Sequence, residues 1–121
     1  MIARIWYGVT LASRADAYAE YLSRTGVKDC LATEGNCGVT VLRRISNGQA
    51  EFVFISLWES MSAIEKFAGP DLEKAVYYPE DKEFLLQLVP QVLHYDVLVP
   101  AQELTGTCPP SVASIWHAVK S

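Results

Sequence analysis

EFVFISLWESMSAIEKFAG, the stretch from Glu51 to Gly69, changes its hydrophobic period halfway along and so specifies two elements in succession. Phe52, Val53, Phe54, Ile55, Leu57 and Trp58 are a β-branched and aromatic run free of Pro and Gly, the composition of a strand buried in the middle of a sheet. Beyond it Met61, Ile64 and Ala68 recur at i, i+3 and i+7 with Phe67 beside them. Ser60 stands where an N-cap belongs and Gly69-Pro70 where a helix stops. A central strand therefore runs directly into a helix.

Upstream of this junction, Val39 to Ile45 reads as a partner strand. It is joined to Glu51–Trp58 through Ser46-Asn47-Gly48-Gln49, whose Asn-Gly pair suits the positive φ angles of a type I′ hairpin. Upstream, Ile2 to Leu11 alternates, with Ala3, Ile5, Tyr7 and Val9 on one face and Arg4, Trp6, Gly8 and Thr10 on the other. Ser13 is placed to cap a helix carrying Ala15, Tyr18, Ala19 and Leu22 on one side, ended by Gly26. Val27 to Cys37 reads as an irregular connection.

Downstream, Asp71 can cap a further turn or two through Leu72, Ala75 and Val76, closed by Pro79. Glu80 to Leu88 suggests another short helical turn and Gln91 to Val99 the last strand. The order β-α-β-β-α-β is that of an α+β, ferredoxin-like domain, an antiparallel four-stranded sheet with its helices on one face. Strand three is apolar on both sides and helices cover one of them, so the other should be an association surface for a homodimer. The domain spans residues 1–99. Residues 100–121 form a Pro/Gly/Thr-rich tail with a short docking helix from about Ser111, where Val112, Ile115, Trp116 and Val119 keep helical spacing.

Composition narrows the function. The 121 residues are 50% hydrophobic and 20% charged with a formal net charge of -4, which is globular and lacks the basic stripe that phosphate backbones require, so nucleic acid is not an expected partner. No apolar run approaches the roughly 20 residues of a membrane span, and the N-terminus alternates where a signal peptide would be continuously apolar; the expected location is cytoplasmic. Cys30, Cys37 and Cys108 have neither C-x-x-C spacing nor a nearby His pair, so no metal site is expected, and free thiols are favoured over a Cys30–Cys37 disulfide. No nucleophile elbow, P-loop or G-x-G-x-x-G is present.

The junction pattern S-L-W-E-S-x-x-A-I-x-x-F-A-G, together with IARIW at the start, VYYPED at Val76 to Asp81 and HYDV at His94 to Val97, resembles the antibiotic biosynthesis monooxygenase family of dimeric α/β-barrel domains. The resemblance covers Met1 to about Val99. It implies a subunit that dimerises by stacking two sheets, a pocket between sheet and helices, and oxygenation of a small aromatic substrate without metal or flavin. The haem-degrading branch of that superfamily carries a strand-one Asn, a helix-two Trp and a His eleven residues further on. Here these positions fall near Trp6 or Tyr7, on Phe67 and on Tyr78, so haem degradation is disfavoured.

The pocket is expected between the sheet and the second helix, because small-molecule sites are mostly apolar with few convergent polar groups. His94, Tyr78 and Tyr77 are its candidate catalytic groups. His94 could take a proton from a phenol, and a tyrosine hydroxyl could hydrogen-bond a peroxide. Trp6, Phe67 and Arg4 are the candidate substrate contacts, Arg4 either meeting an acidic ligand or pairing with Asp96 across neighbouring strands, the salt bridge being favoured. Each has a plain structural alternative. His94 can be a satisfied sheet histidine, and the tyrosines amphipathic packing at a helix end. Trp58 is read as core, and Glu80 to Glu83 as a solvated charge run. The competing function is a non-catalytic dimeric ligand-binding or structural module.

Overall fold

A computed structural model describes residues 1–100. Its elements are β1 (Ile2–Leu11), a 3-10 turn (Ala12–Arg14), α1 (Ala15–Arg24), α2 (Gly26–Ala32), β2 (Asn36–Ser46), β3 (Gln49–Trp58), α3 (Met61–Ala68), α4 (Asp81–Phe84) and β4 (Leu93–Asp96). The four strands form one antiparallel sheet in the order β2-β3-β1-β4. This is the α+β ferredoxin-like plan, with β3 and β1 in the centre. The expected terminal helix, with Cys108 and His117, lies outside the described residues.

The decisive junction folds as its two periods dictate. Ala50, Phe52, Phe54, Ser56 and Trp58 alternate into the buried face of β3. Phe52 and Trp58 lose nearly all solvent contact, and each such side chain contributes about 2–3 kcal/mol of burial free energy. The Ser60 hydroxyl accepts the Ala63 amide at 3.1 Å and caps α3, which buries Ala63 and Ile64. At the hairpin, Asn47 has φ 53° and Gly48 φ 76°, the left-handed pair that a type I′ turn needs.

The first crossover departs from expectation. Gly26 does not end the helical region; it opens α2 directly after α1, so Gly26–Ala32 is helical where an irregular connection was expected. The local signals were turn-like, but burial of Gly26 and Cys30 against the sheet holds the segment in a helix, packing overriding propensity. The Ser13 cap is also absent: Ala12–Arg14 is a 3-10 turn whose flanking residues make no side-chain cap bond. In the second crossover, Asp71 to Val76 makes a single turn rather than a helix, closed by Lys74 N–H to Asp71 C=O at 3.2 Å. The chain then runs as an irregular strap over the sheet, bridging to Gln91 at Lys74. The last strand is shorter than Gln91–Val99, because only Leu93–Asp96 pairs continuously with β1.

Among the described residues the helices cover one side of the sheet. The other carries Ala3, Ile5 and Tyr7 of β1, Leu42 of β2, Val53, Ile55 and Leu57 of β3, and Leu93 and Tyr95 of β4, brought side by side by the register. Tyr7, Leu42, Leu93 and Tyr95 there are 45–53% exposed, an open apolar face of four strands.

Candidate functional site

The covered side of the sheet does not close completely over Arg4, Trp6, Phe54 and Ser56. A cavity of about 50 Å³ lies there, bounded also by Tyr18 and Leu22 of α1, Phe67 of α3, Val76, Tyr77 and Tyr78 of the strap, and Asp81 of α4. Five of the six predicted site residues, Arg4, Trp6, Phe67, Tyr77 and Tyr78, line this one space. His94 does not line it.

Trp6 reaches across the floor because its neighbour two positions along β1 is Gly8: a Cβ on Gly8 would stand 2.1 Å from Cη2 of the indole, too close for any side chain. The indole rests on bare backbone. Its Nε1–H donates to the Tyr77 hydroxyl at 3.1 Å, and that hydroxyl donates to the Val89 carbonyl at 2.5 Å. The Trp6 and Tyr77 rings meet edge to face with centroids 6.2 Å apart, and Trp6 also tilts against Tyr18 at 6.5 Å. Phe67 packs on Trp58, ring centroids 5.8 Å apart, which fixes the opposite wall.

Tyr78 donates its hydroxyl to Asp29 Oδ2 of α2 at 2.6 Å near the surface. Its amide donates to Asp81 Oδ2 at 2.6 Å, while Asp81 Oδ1 accepts the Tyr18 hydroxyl at 2.9 Å. Asp81 is only 3% exposed. It is therefore an internal tie between strap, α1 and α4 and not part of a solvated charge run, a role concealed in the sequence by its charged neighbours. Burial is the main cause that raises the Tyr18, Tyr77 and Tyr78 hydroxyls above the ordinary tyrosine value, with nearby Asp81 adding to each. All three stay protonated near neutral pH and act as hydrogen-bond donors.

Arg4 is 4% exposed, and it has no salt bridge to Asp96, the pairing expected from strand adjacency. The register sets Asp96 opposite Ile2 and His94 opposite Arg4. The guanidinium donates from Nη1 to the Leu72 carbonyl at 2.5 Å and from Nη2 to the Lys74 carbonyl at 2.8 Å, holding the strap down on β1. Nη1 also lies 3.1 Å from His94 Nε2. Arginine can only donate, so Nε2 is the acceptor and the proton of the neutral ring sits on Nδ1. Burial, then the Arg4 charge, lowers His94 below its ordinary value of 6.5.

Cys30 and Cys37 are free thiols, the first buried and the second exposed. Among the described residues no group of three or more His, Cys, Asp or Glu is arranged to hold a metal, and no helix is long and apolar enough to cross a membrane. Sequence reasoning missed Asp81, Asp29, Tyr18 and Gly8 as site residues: Asp81 closes the VYYPED segment but reads as part of a solvated charge run, and the other three stand in no recognisable motif.

No protein-family model matches the sequence, and no curated protein matches it significantly. Solved structures do resemble it. A protein from Nitrosomonas europaea classed with the antibiotic biosynthesis monooxygenases aligns over 82% of this chain and 100% of its own, with a TM-score of 0.57 and 14% identity. Rv0793 from Mycobacterium tuberculosis aligns over 83% of this chain and 97% of its own, with a TM-score of 0.56 and 18% identity. An arginine-to-serine mutant of MhuD, solved with two manganese protoporphyrin IX molecules per active site, aligns over 84% of this chain and 98% of its own, with a TM-score of 0.52 and 16% identity. The chain therefore has the fold of the antibiotic biosynthesis monooxygenase type.

Proposed function

We propose that this protein is a cofactor-independent monooxygenase-like enzyme acting on a small phenol or hydroquinone in the cavity under the strap. The observation that carries this reading is the convergence of Trp6, Phe67, Tyr77 and Tyr78 with the buried Arg4 on one space, an aromatic-walled site with few polar groups. Its fold, shared with a protein classed with the antibiotic biosynthesis monooxygenases, supports the same reading. A phenol-type substrate reacts as its anion, which itself reduces oxygen. A carbon–oxygen bond forms at a ring carbon, the O–O bond then breaks, and phenol plus O2 become quinone plus water, with no external reductant. Tyr78, released from Asp29, donates to the peroxide oxygen as charge develops on it. His94 stands behind Arg4 and works through it, as a positioning residue for the guanidinium.

A cavity of about 50 Å³ is well below the roughly 300–1,000 Å³ of ligand pockets, so the strap around Val76–Tyr78 moves outward to admit the substrate. Haem is not the substrate in this reading. Tyr78 is engaged with Asp29, Phe67 packs on Trp58, and a porphyrin is far larger than the space. The protein works as a homodimer stacked through its open sheet faces, where Tyr7, Leu42, Leu93 and Tyr95 become covered.

The test is oxygen uptake with a dihydroxynaphthalene in the presence of catalase, corrected for autoxidation. Tyr78→Phe is expected to lower turnover by at least about tenfold. His94→Ala is expected to lower it through a looser Arg4 guanidinium, and His94→Gln, which can still accept from Nη1, to restore part of the loss. Unchanged turnover in both Tyr78→Phe and His94→Ala removes the catalytic assignment. A second reading, a non-catalytic binding module, is favoured by the small cavity and by tyrosine hydroxyls that already have protein acceptors. Ligand binding without oxygen uptake would decide for it.

A further inference from the structure

Among the described residues no carboxylate forms an ion pair with the buried Arg4 guanidinium. Its described partners are two carbonyls and a neutral imidazole nitrogen. Three of the five guanidinium N–H groups are thereby used, leaving two without a protein acceptor among the described bonds. Cys30, whose charge would bear on Arg4, is kept as a neutral thiol because burial pushes it up to about 12. The carboxylate in the cavity wall is Asp81. Its oxygens are taken by Tyr18 and by the Tyr78 amide, and it makes no ion pair with Arg4.

The two charges also stand at different levels of the sheet. Arg4 is opposite Ser56, whereas Tyr18, which carries the Asp81 contact, packs edge to face on Phe52. Ser56 and Phe52 are four strand residues apart, roughly 13 Å along β3 at the usual rise. Trp6 lies between. A buried arginine is retained at several kcal/mol of desolvation cost, and an anionic partner is the usual compensation. Here the cavity is where that partner can enter.

We propose that Arg4 makes the cavity a phenolate site: the ligand binds as its oxyanion against the two free guanidinium N–H groups, with its ring between Trp6 and Phe67. This rests on the reading of the cavity as an aromatic site and adds the charge state that it selects. It assigns the deprotonation of the substrate to electrostatics at Arg4, since His94 already spends Nε2 on the guanidinium. An opposite charge within hydrogen-bonding range lowers an acid's pKa by about 1–3 units.

The probe is 4-nitrophenol, whose phenolate absorbs in the visible, with 4-nitroanisole, its O-methyl ether, as the analogue that cannot ionise. With the intact protein, bound 4-nitrophenol is expected to titrate at least about one unit lower than free dye. It should bind at least about tenfold tighter than 4-nitroanisole, since one unit of pKa is a factor of ten between the two protonation states. Arg4→Lys should keep most of the preference, and Arg4→Met should abolish it. Equal binding of both compounds, or a bound pKa at or above the free value, overturns the phenolate inference while leaving an aromatic site in place. Binding of neither overturns the aromatic reading, and the inference with it. The wild-type titration alone decides if Arg4→Met fails to fold.

Discussion

His94 and Asp81 show what single side chains do in this protein. Because His94 is held neutral against Arg4, its folded-state pKa lies below the unfolded value near 6.5. The stability it contributes is present above about pH 6.5 and is lost as the pH falls through the lowered folded pKa. Chemical denaturation should therefore show stability rising from pH 5 to pH 7, and His94→Gln should flatten that slope. Asp81→Ala would leave the Tyr18 hydroxyl buried without its acceptor, a loss of about 2–3 kcal/mol for a hydrogen bond to a charged group, readable as a lower denaturation midpoint. Gly8→Ala should push the Trp6 indole off the backbone and break its bond to Tyr77. Trp6 fluorescence and ligand affinity should then change while the sheet persists.

Elements were legible where one signal dominated. The Glu51–Gly69 junction, the Asn47-Gly48 hairpin and the alternation in β1 each pointed one way, and all three appear at the expected places. The Ser60 cap can be tested on its own: Ser60→Ala should destabilise the protein by about 1 kcal/mol, measured by denaturant unfolding, with the cavity residues unaffected. The misread segments are those where tertiary packing outweighed local propensity. Gly26 reads as a helix stop in isolation but opens α2 because burial fixes it against the sheet. Asp71 to Val76 reads as helical, yet Arg4 draws the Leu72 and Lys74 carbonyls out to itself, and a helix would need them for its own ladder. Site residues followed the same division. Large aromatics at strand and strap positions could be placed in a wall from pattern alone. The separation of His94 from the cavity depended on β4 register, and the internal role of Asp81 on a fold-back of 63 residues to Tyr18.

Over residues 1–100 the molecule is two-sided, with one face of the sheet under helices and the other apolar and exposed. In the dimer reading, the row Leu42, Val53 and Tyr7 crosses the interface, and lysine at the half-exposed Leu42 is tolerated by the monomer but not by a stacked pair. Sedimentation equilibrium at micromolar concentration should give twice the chain mass for the wild type and the chain mass for Leu42→Lys, with unchanged far-UV circular dichroism. A wild-type monomer would contradict the stacked arrangement. If the cavity joins molecular oxygen to a small phenol without a bound cofactor, one atom of that oxygen must appear in the product, and isotope tracing follows it. Turnover of a naphthol under 18O2, in H2 16O with catalase present, should give a quinone carrying one 18O atom per molecule by mass spectrometry, at a rate that falls with Tyr78→Phe. Quinone without the label, or formed no faster than in protein-free buffer, would contradict it.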